Sequence, residues 1–136
     1  MRITATQIEQ WADTRDAQGM LPILIRRLIS ATTTITALSM PGGDSVSTSG
    51  WDGIVQADKG NIWVPDGASF WEMGCSSDII TKARSDFRKR NQQISPQEAT
   101  KSCFIFVSPR RWPKKVSWLK EARAENIWSD VYALDA

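Results

Sequence analysis

The sequence contains no histidine, and this absence excludes several kinds of active site. A chain without histidine cannot form a Ser-His-Asp or Cys-His catalytic pair, a histidine zinc site, or a nuclease site whose general base is histidine. Any hydrolytic reaction would therefore have to depend on carboxylates, lysine and a metal ion.

Cysteine, long apolar runs and net charge are scarce as well. Because the only cysteines are Cys75 and Cys103, we expect no disulfide framework and a reducing, cytoplasmic environment. No apolar run approaches the roughly 20 residues of a membrane span, and the first residues lack the apolar segment of a secretory signal. The net charge is only +2, so binding to an acidic polymer would need local clusters of basic residues.

What the chain does contain is typical of one soluble globular domain. Its 136 residues are 41% hydrophobic and 24% charged, which suits a single modest core. Tryptophan is abundant, with seven residues, and we expect several of them in the core or at an interface. Since the chain stops directly after a predicted strand, we expect residues 1–136 to be one domain from the N-terminal part of a longer protein.

Apolar periodicity and turn residues predict alternating helices and strands. Leu21, Leu24 and Leu28 recur at helical spacing, whereas the β-branched segment after them is typical of a strand. The predicted helices are 7–14 with Thr6 as N-cap, 20–30, 79–90 with Asp78 as N-cap, and 112–125. The predicted strands are 32–40, 51–57, 61–64, 68–75, 103–107 and 128–134, with a polar loop over 41–50. This order predicts an α/β fold with a mixed central β-sheet flanked by helices.

Two predicted strands each carry one carboxylate among apolar and aromatic neighbours, Asp52 in the first and Glu72 in the second. A carboxylate in such a position is costly to bury unless a positive group meets it. If the strands are neighbours, both carboxylates can bind one divalent cation such as Mg²⁺ or Mn²⁺. The alternative is a structural role, in which Asp52 orders the loop before its strand and Glu72 pairs with an arginine or lysine.

Two clusters of basic residues lie in the second half of the chain. A charge run is usually a solvated face, but phosphate contacts also supply most of the non-specific affinity for DNA. Both interpretations stay open, and Trp112 beside the second cluster could stack on a base or pack at the start of its helix. The clusters are Arg88, Lys89 and Arg90, and Arg110, Arg111, Lys114 and Lys115.

Several segments resemble the restriction-endonuclease-like PD-(D/E)XK nuclease superfamily. They are GWDG at 50–53, VPDGASFWE at 64–72, KARSDFRKR at 82–90, FIFVSPR at 104–110 and WSDV at 128–131. The likeness runs from about Leu21 onward and is strongest to the N-terminal nuclease-like domains of large bacterial anti-phage defence NTPases. It implies a mixed sheet in which one strand supplies an Asp, the next supplies Glu-x-Lys, and a helix follows.

By this resemblance, Asp52 and Glu72 would bind the metal ion. The lysine expected two residues after Glu72 is replaced by Gly74, and we expect Lys82 of the following helix to fill that space and complete the catalytic set. We expect Asp86 to bridge Lys82 and Arg90 along the helix rather than to bind metal.

The resemblance implies a Mg²⁺-dependent deoxyribonuclease that cleaves double-stranded DNA held by the basic clusters. It also implies an anti-phage effector that forms homo-oligomers, carries a fused NTPase or sensor module, and does not act at a membrane. Two alternatives stay open: a catalytically degenerate nuclease fold that binds DNA or mediates assembly, and a pure oligomerisation module, which the tryptophan content suggests.

Overall fold

Five strands form one mixed sheet in a computed structural model that describes residues 2–40 and 50–136. The strands are β1 (Thr34–Ser39), β2 (Gly53–Lys59), β3 (Gly67–Met73), β4 (Cys103–Val107) and β5 (Asp130–Leu134). The helices are α1 (Ala5–Ala12), α2 (Ala17–Thr32), α3 (Ile79–Asn91), α4 (Pro96–Ala99) and α5 (Lys115–Ala124). None of these helices is both long enough and apolar enough to cross a membrane. Most of the predicted polar loop, residues 41–49, lies outside the described residues.

The strands lie in chain order across the sheet, and their directions follow from what connects them. Strands β1, β2 and β3 pair antiparallel. Strands β3, β4 and β5 pair parallel, because helices α3 and α4 connect the first two and α5 connects the last two. The predicted α/β class with a mixed sheet flanked by helices is confirmed.

Helices cover both faces of the sheet, and successive residues of β4 show the division. Phe104 points to the face covered by α3, α4 and α5, which we call the α3 face. Ile105 points to the face covered by α2, which we call the α2 face. Both side chains are fully buried, as the continuous apolar run of β4 predicts for a strand covered on both sides.

Several element boundaries differ from the predictions. Helix α1 begins two residues early, because Thr4 and Gln7 form a reciprocal capping box and Thr6 lies inside the helix. Helix α2 begins at Ala17, which places Pro22 inside it rather than in its first turn. Helix α5 begins only at Lys115, and the short helix α4 was not predicted. Asp78 caps α3 as predicted, since its carboxylate accepts a hydrogen bond from the Thr81 N–H.

The predicted strand 61–64 is instead a tight turn organised by Asn61. The Asn61 side-chain oxygen accepts hydrogen bonds from the N–H groups of Trp63 and Val64, each at 2.9 Å. The Asn61 N–H donates to the Val64 carbonyl oxygen at 2.8 Å. These bonds give the backbone a local alternative to a sheet ladder, a known tendency of asparagine that hydrophobicity alone does not register.

Candidate active site

Asp52 lies directly before β2 rather than within it, contrary to the prediction, and it meets Glu72 near the end of β3. These strands are antiparallel neighbours, with Gly53 opposite Trp71. The Asp52 N–H donates a hydrogen bond to Glu72 Oε2 at 2.9 Å. In return, the Met73 N–H donates to Asp52 Oδ2 at 2.9 Å. Each carboxylate is thus held by the backbone of the other strand, and the sheet register fixes the pair.

Glu72 is buried and pairs with Arg90 of helix α3. Its side chain is 2% exposed and that of Arg90 is 7% exposed, and Arg90 Nε donates a hydrogen bond to Glu72 Oε1. A second nitrogen of the guanidinium, Nη1, donates to the Gln93 side-chain oxygen at 2.6 Å. The guanidinium also lies over the ring of Trp51, 5.5 Å from its centroid. Pairing with a basic side chain was the alternative expected for Glu72.

The ionised form of Glu72 is energetically unfavourable in this pair of carboxylates. Burial, and then the charge of Asp52, raise the pKa of Glu72 to about 8 from its ordinary value of 4.5. Hydrogen bonds from the Arg90 guanidinium and the Asp52 N–H act in the opposite direction. Arg90 therefore offsets only part of the cost of ionising the buried Glu72 beside Asp52.

Lys82 lies over the glycine that replaces the expected lysine. A Cβ added to Gly74 would lie 2.9 Å from Lys82 Cε, so the lysine side chain crosses the space that Gly74 leaves open. Its Nζ donates to Asp86 Oδ1 at 3.0 Å and lies 2.9 Å from Oδ2. Burial raises the pKa of Asp86, the hydrogen bond from Lys82 lowers it, and the charge of Asp52 raises it again. Lys82 therefore fills the space above Gly74, where sequence reasoning placed it.

Asp86 does not bridge Lys82 and Arg90 through hydrogen bonds, contrary to the prediction. Its carboxylate contacts Lys82, while Arg90 turns to Glu72 of the sheet instead. The buried positions of α3 are Ile79, Ala83, Asp86, Phe87 and Arg90. Their helical spacing was visible in the sequence and would have placed Arg90 on the inner side of the helix.

Helix α3 places the residues of the first basic cluster on different sides of the helix. Arg88 and Lys89 are exposed, whereas Arg90 is 6% exposed and engaged with Glu72. The expected contact of Arg90 with DNA does not fit this placement, because its guanidinium faces the core. Arg88 and Lys89 remain at the surface of α3.

The second basic cluster is largely paired with acidic groups. Arg110 donates to Asp13 Oδ1 at 2.7 Å, and Arg111 donates to Glu9 Oε2 at 2.8 Å, so both bind residues at or near helix α1. Lys115 pairs with Asp135 at 2.5 Å. Lys114 is exposed. DNA contact was one of the two interpretations of this cluster, but three of its four residues pair with acidic residues near the two ends of the chain.

The tryptophans mostly serve the core. Trp112 is buried, with its ring centroid 5.6 Å from that of Phe106 and 5.3 Å from that of Trp118, which agrees with packing at a helix start rather than stacking on a base. Of the seven tryptophans, four are buried, two are half-buried and only Trp63 is exposed. The high tryptophan content therefore has an explanation within the domain.

Comparisons of the chain with protein-family models, with curated proteins and with solved structures gave no match. Within residues 2–40 and 50–136, no group of three or more cysteine, aspartate or glutamate side chains lies close enough to share a metal ion.

Proposed function

We propose that this domain is a metal-dependent deoxyribonuclease of the restriction-endonuclease-like type, acting on double-stranded DNA. The observation that carries the proposal is the placement of Asp52, directly before β2, against Glu72 of the neighbouring β3, with Lys82 over Gly74. The PD-(D/E)XK resemblance implies a particular order: an acidic residue from one strand, a second from the next strand, and then a helix. The elements of this chain follow that order, with Asp52 directly before its strand. The position of Lys82 over Gly74 adds the third expected group.

The two carboxylates suit a hard divalent cation. Mg²⁺ is commonly bound by one or two carboxylates and completes its coordination with water and substrate phosphate. Burial, and then the charge of Asp52, raise the pKa of Glu72 to about 8, and a divalent cation bound there would favour the charged form of the carboxylate. Asp52 and Glu72 would hold Mg²⁺ or Mn²⁺. When bound there, the ion would supply a Lewis acid for phosphodiester hydrolysis.

The surrounding residues have distinct roles in this proposal. Asp86 holds the Lys82 ammonium by an ion pair on the side of Gly74, and in this proposal the ammonium orients the attacking water or offsets charge on the phosphate. Arg88 and Lys89 are exposed on the same helix and can contact the DNA backbone without base specificity. Lys114 offers a further exposed positive charge.

Cleavage of plasmid DNA in Mg²⁺ or Mn²⁺ tests the proposal. We expect Asp52→Asn and Glu72→Gln to abolish cleavage, because each removes a negatively charged ligand without changing side-chain volume. Asp58→Asn is a matched control, since Asp58 is exposed at the far end of β2 from Asp52. Circular dichroism must show that all variants are folded. Cleavage by both site variants at the parent rate would contradict the assignment.

The pairing of Glu72 with Arg90 favours one alternative, a catalytically degenerate nuclease fold that binds DNA or mediates assembly. In that case a positive side chain permanently takes the place of the metal ion. DNA binding that weakens with salt, without cleavage in any divalent metal, would support this alternative. The anti-phage role, the fused NTPase or sensor module and the homo-oligomeric state are proposed on the resemblance alone.

A further inference from the structure

We infer that Arg90 is a resident cation that competes with the divalent metal ion for Glu72 and keeps the site inactive until metal binds. This inference rests on the proposed metal site. The inference goes beyond the proposed site because it gives Arg90 of α3 a role in controlling whether the metal ion is bound.

Several contacts hold Arg90 in a defined position. Its side chain is 7% exposed, and its guanidinium has three partners: Glu72 Oε1, the Gln93 side-chain oxygen and the face of the Trp51 ring. Because Gln93 and the Trp51 ring already hold the guanidinium, Arg90 loses little further freedom when it pairs with Glu72. The pairing is therefore a defined state of the site.

Arg90 is also the one basic side chain that contacts Glu72 among the described residues. Lys82, the nearest comparable group in the proposed site, is engaged with Asp86 instead. Two positive groups within a few ångströms of one another in a buried site repel strongly enough to change an equilibrium constant by about tenfold or more. A divalent ion that binds Glu72 must therefore overcome the charge of Arg90 or displace it.

The location of Arg90 allows such a displacement without unfolding. It is the next-to-last residue of α3, and Trp51 beneath it is only half-buried. Rotation of the arginine side chain away from Glu72 would leave the helix and the sheet register intact. Low metal concentration would favour the Arg90-bound state, and high metal concentration would favour the metal-bound state.

Direct titration with Mn²⁺ tests the inference, with free Mn²⁺ followed by electron paramagnetic resonance. We expect Arg90→Gln to bind Mn²⁺ at least about tenfold more tightly than the parent, because the competing charge is gone. Arg90→Lys, which keeps the charge, should bind close to the parent. Arg88→Gln is the matched control, since it removes the same charge from an exposed position of the same helix, and it should leave the affinity unchanged.

A measurement on the parent protein covers the case in which Arg90→Gln does not fold. The Arg90 Nε–H is buried in its bond to Glu72 and should give an exchange-protected ¹⁵N NMR signal. We expect Mg²⁺ to remove this protection as Arg90 leaves Glu72. A signal that stays protected at saturating Mg²⁺ would overturn the inference.

The outcomes separate this inference from the proposed function. If the parent binds Mn²⁺ and cleaves DNA but Arg90→Gln binds no more tightly, only the competition is wrong, and Arg90 instead positions Glu72. If neither protein binds Mn²⁺, the metal site itself is wrong and the inference falls with it.

Discussion

The α3 face and the α2 face of the sheet bury very different side chains. The α2 face is covered largely by aliphatic residues, such as Leu21, Ile29 and Val55. The α3 face is dominated by aromatic residues of the strands and helices, and it also holds the acidic and basic side chains that are buried in the described part of the chain. Those side chains are Glu72, Asp86 and Arg90.

This difference indicates that the two faces meet different requirements. Buried charges are costly, and well-packed apolar residues of the same volume often give equal or greater stability. The α2 face shows that this chain can cover a sheet without buried charges. The charges on the α3 face are therefore better explained by a chemical role than by stability, which is the pattern typical of functional sites.

The largest expected effect comes from the aromatic core of the α3 face. Phe104→Ala should lower the free energy of unfolding by about 3–5 kcal/mol, because it leaves a large cavity among Phe87, Trp118 and Trp128. The adjacent Ile105→Val, on the α2 face, should cost about 0.5–1.5 kcal/mol. Urea unfolding measures both. Equal losses would contradict a core centred on aromatic packing.

Removal of Glu72 should be nearly as costly. Glu72→Ala leaves Arg90 buried without its carboxylate partner, and loss of one partner of a buried pair costs about 3–5 kcal/mol. Glu121→Ala is the control: it breaks an ion pair with Arg84 whose side chains are about half exposed, 50% and 51%, and it should cost no more than about 1 kcal/mol. Similar losses for the two variants in urea unfolding would mean that Arg90 gains little from Glu72.

The pH dependence of the free energy of unfolding should also distinguish the two faces, because Glu72 lies on the α3 face. Because the pKa of Glu72 is about 8 in the folded chain and near 4.5 when unfolded, the folded chain keeps a proton that the unfolded chain releases. The contribution of Glu72 to the free energy of unfolding should therefore fall as pH rises between these values. Glu72→Gln should remove this fall and become relatively more stable toward higher pH. Parallel pH profiles for parent and variant in urea unfolding would refute this expectation.

The smallest stability effect should come from Gly74→Ala, with a clear effect on cleavage. The added Cβ would meet the flexible end of Lys82 at 2.9 Å, so the lysine moves aside and stability changes by less than about 1 kcal/mol. Cleavage should fall by about tenfold or more, because the ammonium leaves its position. In a Lys82→Ala background the same substitution should cause no further loss of cleavage. An additional loss there would show that Gly74 acts independently of Lys82.

Much of the local structure could be predicted from single segments. The buried strand β4 and the start of α3 at its Asp78 cap have strong signals within a few residues, and both were predicted correctly. The predicted strand at 61–64 was wrong because Asn61 satisfies nearby backbone groups with its own side chain. The early starts of α1 and α2 were missed because several polar residues nearby were equally plausible as caps.

Periodicity and local propensity were sufficient to predict the alternation of helices and strands and to place Asp52 and Glu72 in or next to two different strands. Which charged side chains pair with one another could be seen only in the folded chain. Arg90 pairs with Glu72, which is 18 residues away in the sequence, and Arg111 pairs with Glu9, which is 102 residues away. The sequence neighbours of each arginine therefore did not indicate its partner. The physical reason is that a charge pairs according to distance and burial in the folded chain. Three adjacent basic residues on one helix can therefore have opposite environments, and the site depends on the one that faces inward.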